Sequence, residues 1–509
     1  MGERVHKSIL NAKVNIFFYF LSLFLAFFSR KVFLDCLGAE FIGLTGTLDN
    51  ILGYLNLTEL GIASCISFFL YKPLQSKNRE EIQELLSIFG YLYQWIGIII
   101  LGTAIFISLF FPIIFNQTHL EFGIIYFSFY SFLGSSLISY FINYRQILLS
   151  ADQKNYLVAI YFQSATLIRT ALQIFLALKF KNLYIWVFVE FLFGIIGCII
   201  LNWKIDQEYP WLKTNKSQGG NLLKKYPGIF TNTRRIFIHT IKDFLMGKSD
   251  ELFIFLFVSL KMVAYYGNYM LIISKVSLLF KSALDSVGAG IGNLIAEGDI
   301  KNTMKVFWEL TLIRHFVAGL LCFTIYHFIE PFIILWLGEE YILDRTILYL
   351  LVIYIYISNS RGVVDMFNHA HGLYADVWSA WTELGVNVII TIICGFLYGI
   401  IGILMGKLIS LIPIIVFWKP YYLFSSGLKI PVKQYWNGAL RNYIISIVSF
   451  VFASLIIKNA SVNPSESYFS WIYYCIIGLT SYLCINVPLL FILAKGSHDF
   501  FYRLKLLRK

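Results

Sequence analysis

Long apolar runs recur from one end of this chain to the other, separated by short polar connectors. A helix needs about 20 such residues to cross the hydrocarbon core of a bilayer. In lipid, a backbone run that long satisfies its polar groups only within itself. The chain therefore reads as an all-α polytopic membrane protein. About fourteen spans are predicted, near 14–37, 41–71, 86–115, 121–149, 157–178, 183–203, 236–259, 264–295, 305–329, 345–369, 376–398, 401–423, 440–458 and 468–494. Runs this continuous exclude an outer-membrane barrel, whose strands alternate over about ten residues. The basic stretch MGERVHKSILNAK enters the first span with no small-residue cleavage site, so it is expected to be retained as helix.

Net charge is +12, which in a soluble chain would suggest nucleic acid. Here no nucleic-acid partner is expected, because about two thirds of the Lys and Arg fall on one set of connectors. These carry Lys72, Lys77 and Arg79; Arg145 and Lys154; a basic run from Lys204 to Lys242; Lys301 and Lys305; Lys419 to Arg441; and the C-terminal tail. The excess of basic residues on cytoplasmic loops puts both termini in the cytoplasm. The opposite connectors, such as LGAE and KNASVNPSES, leave no room for an external domain.

The two halves resemble each other. FLYKPLQSKNREEIQELL follows the second span and NLIAEGDIKNTMKVFWEL the eighth, each with Lys-Asn in its link. Pro112 is expected to end the third span and Pro331 the ninth. Two six-helix lobes are predicted, 1–203 and 236–426, as a parallel repeat. The segment 204–235 reads as a cytoplasmic linker, and 427–509 adds two helices and a basic tail.

Several spans carry charge well inside: Arg30, Glu59, Arg169, Lys248, Asp250, Lys275, Lys281 and Arg361. Each costs about 3 kcal/mol or more at bilayer depth, so such groups face water or a buried partner. Arg30 sits late in its span; it either snorkels or turns a planar fork toward an anion, with Asp49 and Glu59 as counter-ions or coupling sites. In the seventh span Lys248 and Glu251 are three apart, and Asp250 shares a face with Asp243. In the eighth, Asn268, Lys275 and Ser282 form one stripe. Lys281 has Asp285 four residues on, and Arg361 has Asp365; both spacings fit internal ion pairs. Arg314, Glu383 and Lys407 are explained as well by snorkelling or pairing.

No P-loop, G-x-S-x-G or H-E-x-x-H occurs, so an enzyme is not expected. The seven cysteines form no C-x-x-C pair, and His369 and His371 lack a neighbouring acidic ligand; no metal or cofactor is expected. Without a nucleotide-binding domain, the energy source would be an H+ or Na+ gradient or the substrate gradient.

Arg30, LGAEFIGL (37–44) and LTELGI (57–62) resemble the N-terminal signature of bacterial polysaccharide flippases of the Wzx type, in the multidrug/oligosaccharidyl-lipid/polysaccharide (MOP) exporter superfamily. IFIHTIKDFLMGKSDELFIFLFVSLKMVAYYGNYMLII (236–273) is similar to helices 7 and 8 of that family. The resemblance implies a cavity lined by helices 1, 2, 7 and 8 and alternating access. The substrate would be an undecaprenyl-diphosphate-linked oligosaccharide moved to the periplasmic leaflet for O-antigen (lipopolysaccharide), capsule or exopolysaccharide. Arg30, Lys248 and Lys275 would hold the diphosphate, with Lys281 and Arg361 behind them. Membrane lipids and other polysaccharide assembly proteins would be partners. Mixed signs at Lys248, Asp250 and Glu251 argue against a purely cationic pocket. A MATE-like multidrug or small-solute exporter would share the fold. A polysaccharide polymerase or ligase is disfavoured by the short external connectors.

Overall fold

The computed structural model describes residues 2–59, 62–285, 291–292, 294–295, 297–373 and 376–500. Among them every regular element is helical. Among the described residues eleven helices are long and apolar enough to cross a membrane. The chain divides into two compact units, Met1–Ala264 and Tyr265–Lys509.

In the first unit, α1 (Gly2–Leu37) turns at Gly38, whose φ of 86° favours glycine, into α2 (Ala39–Leu55). The predicted 41–71 span is not one helix. A 3₁₀ turn at Asn56–Glu59 interrupts it before α3 (Ile62–Ser76). This is a correction with a physical reason: Asn and Thr in NLTE are poor helix-interior residues that compete for backbone groups. Next, α4 (Arg79–Ser108) opens on an Asn78 cap that accepts from Glu81 N–H. Then come α5 (Phe122–Ile142), α6 (Asn155–Phe180) and α7 (Leu183–Glu208). α1 packs on α6, and α7 packs on both α5 and α6. Pro112 lies beyond the end of α4, as expected.

The connector after α7 is not a slack tether. It folds back along α4 as a strap ending in α8 (Gly219–Lys225). Gln83 Nε2 donates to Trp211 O, Asn215 N to Ser87 Oγ, and Lys216 Nζ to Phe141 O. Lys225 and Tyr226 both bond Glu84. A Cβ on Gly219 would lie 2.4 Å from Tyr91 Cβ. The unit then takes in α9 (Gly228–Phe257) and the start of α10 (Leu260–Asp285).

The second unit holds the rest of α10 and α11 (Ile300–Trp336), capped by Asp299. Pro331 lies inside α11, not at its end; at membrane depth neighbouring helices tolerate such a proline. α12 (Arg345–Ser360) meets α13 (Gly362–Ala370) at Arg361. α14 (Val377–Leu411) reverses at Gly399, with φ 57° and ψ −132°, between the two spans predicted there. Its arms pack backbone to backbone: a Cβ on Gly402 would lie 1.9 Å from Cys394 O. α15 (Lys433–Lys458) and α16 (Tyr468–Leu493) close the unit. Phe323, Phe328, Ala453, Ile457 and Tyr482 bury their contact with α11.

Candidate functional site

In the first unit α2 lies against α9 and the start of α10, and glycine spacing explains how closely. A Cβ on Gly43 would stand 1.8 Å from Leu260 O; one on Gly46 would be 3.7 Å from Glu251 Oε2. This approach brings buried Asn50 Nδ2 to Glu251 Oε2 at 2.5 Å. Asp250, next in sequence, is also buried. Arg30 reaches from α1 and donates through Nη2 to Ala264 O at 2.9 Å. Within the first unit, Arg30 of α1 thus contacts the α10 backbone, and Asn50 of α2 contacts Glu251 of α9.

A second polar site lies in the same unit. Arg169 of α6 pairs with Glu190 of α7, and Gln173 Nε2 donates to Glu190 Oε2 at 3.0 Å. The pair lines a cavity of about 420 Å³ with Asp49, Asn56, Ser135 and Ser136. Asp49, predicted as a counter-ion for Arg30, faces this cavity. Glu190 was missed in the sequence reading. Its signal was there: a lone carboxylate in LYIWVFVEFLFG, on the span after the one carrying Arg169.

Lys275 is half-buried on α10. Arg361 Nε lies 3.3 Å from Asp365 Oδ2, the pairing that the spacing predicts. The side chains of Glu59, Lys248, Lys281 and Asp285 fall outside the described residues. Among the described residues no group of His, Cys, Asp and Glu is arranged to hold a metal ion.

Snorkelling does not describe Arg314, Glu383 or Lys407. They are buried to 5%, 2% and 4% exposure. A Cβ on Gly362 would stand 2.8 Å from the Arg314 guanidinium, so this glycine makes room for it. Lys407 Nζ sits 4.5 Å over the Tyr354 ring. Nearby, buried His315 Nδ1 meets Tyr356 OH, which donates to Ser446 Oγ, both at 2.9 Å. Tyr356 and Ser446 border an apolar cavity of about 440 Å³ between α11, α12 and α15, walled by Tyr326, Ile353, Tyr443 and Phe450.

No family model and no curated protein matches the chain. Solved structures do. One, the lipid II flippase MurJ in an inward closed conformation, superposes with a TM-score of 0.65 at 17% identity, covering 95% of this chain and 99% of that one. Another, an inward-facing multidrug resistance MATE family transporter of the MOP superfamily, gives 0.59 at 12% identity, covering 83% and 98%. The chain therefore has the MOP-type fold. It is a multi-pass membrane protein by fold and by its spans.

Proposed function

We propose that this protein is a MOP-type flippase that moves an undecaprenyl-diphosphate-linked oligosaccharide from the cytoplasmic to the periplasmic leaflet of a bacterial inner membrane by alternating access. It would serve O-antigen, capsule or exopolysaccharide synthesis, with both termini cytoplasmic. The observation that carries this reading is the set of charged and polar groups held at membrane depth inside the first unit. Such groups are too costly in lipid to be kept for packing alone. The apolar cavity beside Tyr356 suits a polyprenyl chain. The lipid II flippase matches 95% of this chain, against 83% for the MATE transporter, which supports a lipid-linked cargo over a small solute.

Arg30, Lys248 and Lys275 are assigned to the diphosphate, with Lys281 and Arg361 in support. Arg30 donates to Ala264 O, and its planar guanidinium is the shape that grips a phosphate in two places. Asp49, Glu59, Asp250 and Asp285 are assigned to charge balance or to coupling with H+ or Na+.

Deleting the gene should abolish the surface glycan and accumulate lipid-linked repeat units. Unchanged glycan without that build-up would sink the reading. Raised drug sensitivity in its place would favour the small-solute exporter. Charge reversal at Arg30 or Lys275 should stop export while the protein stays in the membrane.

A further inference from the structure

In the second unit three membrane-length helices end around one cavity. α11 begins at Ile300, α15 begins at Lys433 and α16 finishes at Leu493. The cavity measures about 540 Å³ and is bordered by Lys301, Lys305, Lys495, Asp299, Asp499 and Trp308.

Its charges are unequally engaged. Asp299 is used as the helix cap, accepting from the N–H groups of Lys301 and Asn302 at 2.9 and 3.1 Å. Asp499 Oδ1 lies 2.9 Å from Lys305 Nζ. Three ammonium groups therefore face two carboxylates, both with work inside the protein. Lys495 is fixed by two features. Its Nζ sits 4.4 Å over the Trp308 ring. The next residue, Gly496, has φ +90°, and a Cβ there would meet the Trp308 carbonyl carbon at 2.8 Å, so the chain turns tightly against Trp308 only because it is glycine. Burial, and then the charge of Arg441, hold the Lys495 ammonium below its ordinary pKa; an anion arriving beside it would reverse that pressure. Trp308 itself is 3% exposed, and its indole N–H has no acceptor among the described residues.

A cationic rim on an aromatic wall, at the ends of three spans, is the chemistry of a phosphate ester at the membrane boundary. We propose that this cavity binds the phosphate of an anionic glycerophospholipid headgroup, held by Lys301 and Lys495 over Trp308. The lipid is preferred to a free phosphate because the cavity opens where the spans end, at headgroup level.

The test uses the full-length protein in nanodiscs of phosphatidylcholine alone or with phosphatidylglycerol, and follows thermal unfolding. Phosphatidylglycerol should raise the wild-type midpoint, and the shift should fall by at least half in Lys301→Gln/Lys495→Gln. Lys495→Arg should keep it. An undiminished shift in the double variant overturns the site. Millimolar inorganic phosphate in phosphatidylcholine discs should have no effect; a shift equal to that of phosphatidylglycerol overturns the lipid assignment. Native mass spectrometry gives a second measurement that does not depend on the double variant folding. Single Lys495→Gln protein should retain fewer phosphatidylglycerol molecules than wild type, and equal retention also overturns the site.

Discussion

The guanidinium of Arg30 donates to the main-chain carbonyl of Ala264, tying α1 to the second turn of α10 across more than two hundred residues of sequence. A hydrogen bond from a charged donor contributes about 1.5–3 kcal/mol. Arg30→Ala should lower the unfolding free energy in detergent by that amount. Arg30→Lys should recover part of it. If the planar fork also grips a diphosphate, Lys should not restore surface glycan.

Gly43 and Gly46 are three residues apart on α2 and should respond oppositely to alanine. At Gly43 the new Cβ meets Leu260 O at 1.8 Å, and both partners are backbone. Gly43→Ala should cost about 3 kcal/mol or more, or prevent folding. At Gly46 the nearest atom is 3.7 Å away, an ordinary contact. Gly46→Ala should be neutral or stabilise by up to about 1 kcal/mol through helix propensity. Thermal midpoints of the two proteins would decide it.

Arg169 and Glu190 should behave as one unit. Replacing either by Met leaves its partner facing the cavity uncompensated, whereas replacing both removes the problem. A double-mutant cycle should yield a coupling of about 1–3 kcal/mol. Additive single effects would mean the pair is incidental.

Asp376 supplies a pH signature. Its Oδ2 accepts from Lys419 Nζ at 2.7 Å, Trp418 Nε1 at 3.1 Å and Ser379 Oγ at 3.0 Å. Burial pushes its pKa up, but these partners outweigh burial and hold the carboxyl below its ordinary 3.8. The folded pKa is thus the lower one. The stabilisation is present above pH 3.8 and is lost as pH falls toward and through the folded value. Between about pH 5 and 3, wild type should lose stability more steeply than Asp376→Asn.

Length and apolarity were enough to read most of the membrane helices, because a span is a local property of one segment; the predicted 41–71 and 236–259 are not among the eleven. The Gly399 reversal was legible for the same reason: a glycine flanked by apolar runs. The break at Asn56–Glu59 was not, since the flanking apolar residues hid a short polar stretch. Partners were harder still. Arg361 and Asp365 share one helix, so their spacing was visible. Glu190 meets Arg169 across two helices, and only packing puts them together. Arg314 reads like an interface residue until Gly362 opens a place for it in the interior. The strap deceived for a related reason: its Gly-Gly and polar residues look like slack chain, yet Gly219 is there so that α8 can lie flush on Tyr91.

The strap also decides where this protein tolerates an added sequence. The Gly219-Gly220 site, the natural choice for a reporter tag or protease site, would be prised from α4 by any insertion, taking the Glu84, Ser87 and Phe141 contacts with it. The connector between α15 and α16 is a better place. There Asn459, Ser461 and Asn463 are exposed, and extra residues would extend outward without unseating a helix.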